Sequence, residues 1–454
     1  MTERYDLIVK GGTVATPSGI APGDVAVAGG RIAAIGAPGG ALGGAEAAEV
    51  FDATGLHVLP GAIDTQVHFR EPGHEHKEDL ASGTAAAALG GIVTVFEMPN
   101  TAPSTLTAAD LGDKLARARN RAWVDHAFFL GAAAENATEL RALELLPGCC
   151  GVKIFMGAST GSLLVEDDET LFEVLKSGRR RVAVHAEDEA RMRERVGIAR
   201  AGADPRFHPE WRDVETARLA TERILHLARR AGRRIHVLHV TTAEEIPLLA
   251  AHKDIATVEV TPQHLTLSAP DCYQRLGTLA QMNPPIREPR HREALWRAIA
   301  EGIVDVIGSD HAPHTREEKA KPYPSSPSGM PGVQTLLPLL LDHMNAGRLS
   351  LARLIDLTSA GPARIYGIAR KGRIAVGFDA DLSIVDLKAK REISADWLAS
   401  KCGWSPFEGM RVTGWPMATV VRGRVVMREA ELQGDPAGAP VRFWETLAPA
   451  EDDG

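Results

Sequence analysis

Cysteine, aromatic residues and long apolar runs are all scarce in this chain. Of its 454 residues only four are cysteine (Cys149, Cys150, Cys272 and Cys402), and no two stand in a Cys-x-x-Cys pair. Neither a disulfide framework nor a thiolate zinc site is therefore expected, and Cys149 and Cys150 read as small buried apolar residues. Aromatics make up 5% of the chain, and 51 basic residues face 59 acidic ones for a net charge of −8. With no excess of positive charge and no basic run interleaved with aromatics, nucleic acid is not an expected partner. No uninterrupted apolar stretch is long enough to cross a bilayer, and the start, Met1-Thr2-Glu3-Arg4-Tyr5-Asp6, is charged. A cytoplasmic location without a membrane partner is expected.

What the chain does have is two β-rich ends around a different middle. Residues 4–52 are short apolar runs punctuated by Gly11-Gly12 and Gly29-Gly30, and the same texture returns in 372–386 and 418–427. One small β-sandwich domain built from both ends, 1–55 plus 370–440, is the expected arrangement. The glycine-rich 36–44 reads as a mobile surface loop, and the tail, weakly ordered from Gly434, takes up 441–454.

In the middle, 56–369, eight apolar β-branched runs alternate with Ala-, Leu-, Glu- and Arg-rich segments of helical character. The runs are 57–69, 92–99, 125–131, 151–156, 181–185, 234–240, 256–261 and 304–309; the helical segments include 77–89, 108–119, 167–176, 214–230 and 290–300. Near-continuous apolar strands joined by helices imply a parallel sheet covered by helices, and eight of them fit a closed (β/α)8 barrel. An open doubly wound sheet is the rival, but no Gly-x-Gly-x-x-Gly follows the first strand.

The ends of these runs carry polar residues where a barrel carries its chemistry. His68 and Arg70 close the first run, Asn100 follows the second, Lys153 lies in the fourth, His185 ends the fifth, His239 the sixth, and Asp310 follows the eighth. In the first run, strand alternation puts Asp64, Gln66, His68 and Arg70 on one face and Val67 and Phe69 on the other. Lys153 is flanked by apolar residues, where an ammonium is costly unless paired. Either it forms a salt bridge or snorkels to water, or its amine reacts with carbon dioxide to give a carbamate able to bridge two cations. Neutral imidazoles and a carboxylate nearby suit zinc. His236 and His239 differ in strand parity, so one is expected to face the barrel; His239, nearer the end, is chosen and His236 is read as structural.

These residues carry a family resemblance. Asp64-Thr65-Gln66-Val67-His68-Phe69-Arg70-Glu71-Pro72, Glu75-His76-Lys77-Glu78-Asp79, Met98-Pro99-Asn100-Thr101, Met282-Asn283-Pro284-Pro285-Ile286-Arg287 and Ser309-Asp310-His311-Ala312-Pro313-His314 resemble the dihydroorotase family, in the cyclic-amidase branch of the amidohydrolase superfamily. The resemblance spans about Tyr5 to Met427. It implies reversible zinc-dependent cyclisation of N-carbamoyl-L-aspartate to dihydroorotate, in pyrimidine biosynthesis, by a homo-oligomer. His68 and Asp310 are then expected to hold one metal and His185 and His239 the other, with carboxylated Lys153 bridging and Asp310 moving the proton. Arg70, Asn100, Asn283, His314, Ser328 and Gly329 match substrate-binding positions. The chain departs from the family at Gln66, where a histidine usually stands. Three outcomes stay open: two zincs with Gln66 or water substituting, one zinc at His185/His239, or a site too weak for catalysis. The last would make the chain a non-catalytic subunit supporting an aspartate carbamoyltransferase partner. Within the enzymes, a hydantoinase or allantoinase is the alternative.

Overall fold

The computed structural model describes residues 4–158 and 163–447. All eight apolar runs supply strands of one parallel sheet in chain order: Ala62–Val67, Ile92–Glu97, Asp125–Gly131, Cys149–Phe155, Val182–His185, Ile235–Val237, Ala256–Val260 and Val306–Ile307. First and last meet through a parallel bridge between Val67 and His311, and the His68 N–H donates to the His311 carbonyl at 2.7 Å. Asp64 secures the same seam, its Oδ1 accepting from the Ser309 N–H at 2.9 Å. The sheet is a nearly closed, TIM-like barrel.

The helices between the strands begin where the sequence offers a cap. Asp79, Thr107, Asp167 and Asp213 accept from backbone N–H groups at the starts of Leu80–Leu89, Ala108–Ala118, Asp168–Lys176 and Val214–Ala231. Each such cap is worth about 1 kcal/mol. The helices' apolar faces, through Leu111, Leu171, Val174, Ala220 and Ile224, join the outward strand residues Val93, Val95, Val152 and Val182 in the largest core cluster. None of the described helices is long and apolar enough to cross a membrane.

The run 57–69, expected as one strand, divides at Gly61. His57–Pro60 belongs to a second sheet, pairing with Thr13–Val14 on one side and Leu382–Val385 on the other. A Cβ at Gly61 would collide with the Val93 side chain, so this crossing from sheet to barrel requires glycine. The short strand stitches the two chain ends into one continuous nine-stranded mixed sheet. Its apolar residues, among them Leu7, Val9, Val25, Val58, Leu382 and Val420, form their own cluster. Lys371 joins sheet to barrel: its buried ammonium is 2.7 Å from Asp125 on the third barrel strand and also pairs with Asp381.

The glycine-rich 36–44 lies at the surface, largely exposed except where Leu42 is buried against Ile8 and Ala26, whereas the expectation of a weakly ordered tail is corrected. Segment 434–447 is bonded in place under the barrel: the His126 N–H donates to Ala439, Val441 donates back to His126, and Phe443 packs with Phe96, Phe129 and Tyr366. A sequence poor in regular periodicity hid it, because its order comes from contacts with strands 300 residues earlier. The remainder of the tail, 448–454, lies outside the described residues.

Candidate active site

Gln66, His68, Arg70, Asn100, Lys153, His185, His239, Asn283, Asp310, Ser328 and Gly329 line one cavity at the C-terminal rim of the barrel. His314 stands just behind, its Nε2 3.3 Å from Arg70 Nη2 and 3.1 Å from the Ser328 carbonyl. Every residue singled out for the site in the sequence is thus brought to one place. An open cleft of about 560 Å³ shares Asn283 and Ser328 with the cavity and leads to solvent past Met192 and Trp211.

Backbone geometry aims these side chains. The first barrel strand stops at Val67, and Arg70, His239 and Asp310, all just past strand ends, have φ of +64°, +37° and +44°. Left-handed backbone costs non-glycine residues about 1–3 kcal/mol each, a strain that gathers at functional sites. It also corrects the parity argument for His236 and His239. The strand ends at Val237, so alternation does not extend to His239. His236 lies deeper, 2.8 Å from Thr257 Oγ1 and 3.3 Å from Glu259, packed on Tyr366. Gly329 has φ +137°, and a Cβ there would sit 2.5 Å from the Ala312 carbonyl, so only glycine lets this loop close on the cavity.

The imidazoles are held in defined orientations. Asn100 Oδ1 lies 2.7 Å from His68 Nδ1, which leaves His68 Nε2 facing Asp310 Oδ1 at 3.2 Å. Glu187 Oε2 lies 2.8 Å from His185 Nε2, which turns His185 Nδ1 toward His239 Nε2 at 3.0 Å. A proton shared outward with a carboxylate or amide oxygen directs the other nitrogen's lone pair inward. Burial lowers the pKa of all three histidines, so they are neutral donors near pH 7. Glu187 escaped the sequence reading although it stands two residues after His185; its partner Arg212 arrives from another segment and no local pattern announces it. Phe155, Ala312, Thr65 and Glu259 escaped it too. Glu259 is fully buried below the cavity, bonded to Thr65 at 2.7 Å, and burial raises its carboxyl to about 8.

Lys153 and Arg70 are the two buried cations of the cavity. Lys153 Nζ has no hydrogen-bond partner among the described residues and lies over the Phe155 ring at 4.6 Å; burial pushes its pKa down to about 7. Neither the salt bridge nor the snorkel allowed by the sequence occurs. Arg70 donates through Nε to the Pro313 carbonyl at 3.1 Å, and no carboxylate forms an ion pair with it among the described residues. Gln66 Nε2 donates to Asp310 Oδ1 at 3.1 Å, and its Oε1 is buried without a hydrogen-bond partner among the described residues.

This donor set fits a metal centre. Two buried polar atoms, Lys153 Nζ and Gln66 Oε1, lack partners among the described residues at one cavity beside neutral imidazoles and a carboxylate, and nitrogen and oxygen donors of these kinds suit a divalent cation.

Comparison with known proteins agrees with this geometry. The Amidohydrolase family model matches residues 57–426. The dihydroorotase of Halobacterium salinarum is 44% identical over 376 residues, covering 81% of this chain and 86% of that protein. The dihydroorotase of Methanosarcina acetivorans is 37% identical over 445 residues, covering 95% and 94%. Among solved structures, the L-hydantoinase (dihydropyrimidinase) from Arthrobacter aurescens superposes with a TM-score of 0.91 at 32% identity, covering 96% of this chain and 99% of that one. Barrel, rim site and family match together establish that this chain belongs to the amidohydrolase family, as a hydrolase for which that membership implies dependence on metal.

Proposed function

We propose that the chain is a zinc-dependent dihydroorotase, interconverting N-carbamoyl-L-aspartate and dihydroorotate. The observation that carries this choice within the family is Arg70: a buried guanidinium on the cavity with no carboxylate partner among the described residues. Burying such a cation is costly, and a ligand carboxylate, accepted by its planar fork, offsets that cost. The names of the relatives matched over most of their length support the same reading.

In this reading His68, Asp310, His185 and His239 would hold zinc, with a carbamate on Lys153 as a further ligand. Bound zinc supplies an acidic water as nucleophile and polarises the ring carbonyl. The Lys153 amine, brought to about 7, is about half in neutral form near pH 7, whereas a free lysine is under about 1% neutral there. Its nitrogen attacks carbon dioxide, the C–N bond forms and a proton leaves to solvent. In ring opening, Asp310 accepts the proton of the attacking water and delivers it to the leaving ring nitrogen; cyclisation runs these transfers backwards. Asn100 and Glu187 keep His68 and His185 in their working orientation. Arg70, with His314 behind it, takes the substrate carboxylate, and Asn283, Ser328 and Gly329 close on the ring. A homo-oligomeric state belongs to the same reading, and an aspartate carbamoyltransferase partner to the non-catalytic alternative.

Arg70→Met is expected to raise KM for dihydroorotate at least about tenfold, since the carboxylate loses a charge-assisted bond, and to change hydrolysis of an uncharged cyclic amide far less. Steady-state kinetics on both rings decides; equal losses would assign Arg70 a structural role and favour the hydantoinase alternative.

Gln66 makes a second expectation. An amide oxygen is a weaker zinc donor than an imidazole, and the Gln66 amide nitrogen already serves Asp310. Zinc content below two per chain is expected in protein purified without added metal, rising in Gln66→His. Elemental analysis measures both; two firmly held zincs in the wild type would remove this expectation.

A further inference from the structure

A second cavity, of about 340 Å³, opens at the opposite, N-terminal end of the barrel. Two sequence runs meet there, Arg179-Arg180-Arg181 before the strand Val182–His185 and Arg233-Arg234 before Ile235–Val237. Arg179, Arg180, Arg181, Arg234 and Arg364 line it, and Glu445 is its one carboxylate among the described residues. In a chain of net charge −8 this is a local concentration of positive charge.

The pocket is built, and its cations are incompletely paired. Glu445 is shared between Arg179 and Arg180, and Arg364 pairs with Asp356 at 3.3 Å from outside the cavity lining. Arg180 is 8% exposed, stacks its guanidinium over the Phe443 ring at 4.7 Å, and donates through Nη1 to the Cys149 carbonyl at 2.6 Å. Its Nη2 is buried without a hydrogen-bond partner among the described residues. Arg181 is fixed by the Ile235 carbonyl at 2.9 Å, and neither it nor Arg234 has an ion pair among the described residues. Repulsion from Arg234 adds to burial in lowering the Arg181 pKa. Like charges held together without counter-charge are destabilising, and an anion between them relieves this. At the cavity edge Trp444 leaves 48% of its surface exposed, a flat ring on which a planar group can lie.

We propose that this pocket binds a small diphosphate-bearing anion, the planar guanidinium forks taking its oxygens in pairs. The volume is at the small-molecule scale of roughly 300–1,000 Å³. The site is separate from the reaction proposed above, since it lies at the beginnings of the strands whose far ends lead to His185 and His239.

Titration calorimetry on the full chain with inorganic pyrophosphate, and in a second arm with a nucleoside diphosphate, tests it. Wild type is expected to bind at one site, the exposed double variant Arg234→Gln/Arg364→Gln at least about tenfold more weakly, and Arg70→Met as wild type. No binding to wild type, undiminished binding to the double variant, or loss in Arg70→Met, which would put the anion in the rim cavity, each overturns the proposal. Tighter binding of the nucleoside diphosphate, reduced to the pyrophosphate level in Trp444→Ala, assigns the base to that indole; equal affinity assigns the diphosphate alone as the ligand.

Discussion

Asp310→Asn is expected to lower kcat for dihydroorotate by roughly 10³-fold or more while the protein stays folded. Asp310 Oδ1 faces both His68 Nε2 and Gln66 Nε2 at hydrogen-bond distance, and asparagine keeps the shape but loses the ability to accept and return a proton. The backbone there is left-handed at φ +44°, a conformation asparagine tolerates, so the substitution adds no new strain. Rates in both directions, with a thermal melt, make the measurement. Retention of more than a few per cent of wild-type turnover would falsify the proton-transfer role.

Lys153→Met carries the other large effect. Methionine fills a similar volume but cannot form a carbamate, so zinc content and turnover are both expected to fall, turnover by at least about a hundredfold, the upper end seen when residues supporting a metal site are lost. Wild type supplied with 13C-bicarbonate is expected to show a carbamate carbon resonance that the variant lacks. Full zinc content and activity in Lys153→Met would exclude the bridging role. In metal-free protein the same change is expected to raise Tm near pH 7. Burial lowers the folded-state pKa to about 7, so charged lysine is penalised on folding as pH falls below its unfolded value near 10.4. The gain in Lys153→Met should therefore shrink as pH rises toward 10.

Strand and helix identities were legible because apolar periodicity is local. Each of the eight runs overlaps a barrel strand, the fourth strand starting ahead of its run at Cys149, and the caps Asp79, Thr107, Asp167 and Asp213 stand beside the helices they start. Arg70, Lys153 and Asp310 were legible for a related reason: a polar residue in or just past an apolar strand needs explanation, and a barrel collects all such residues on one rim. The break at Gly61 was not legible, since 57–60 and 62–67 both read as strand and only the close approach of Val93 to Gly61 marks where one sheet gives way to the other. Neither was the role of Arg212, which reaches Glu187 from a different segment.

By itself the sequence determined the barrel and the strand-end residues that meet at its rim, because these follow from periodicity and from side-chain chemistry at strand ends, while the family and the positions of Asn283, His314, Ser328 and Gly329 came from the resemblance of its motifs. Tertiary structure alone decided which atoms of those residues remain available. Asn100 and Glu187 turn His68 and His185, burial brings the Lys153 amine to about 7, and Gln66 gives its amide nitrogen to Asp310. It also decided that arginines 50 residues apart share a pocket under the barrel, since parallel neighbouring strands bring their starting ends together whatever lies between them in the chain.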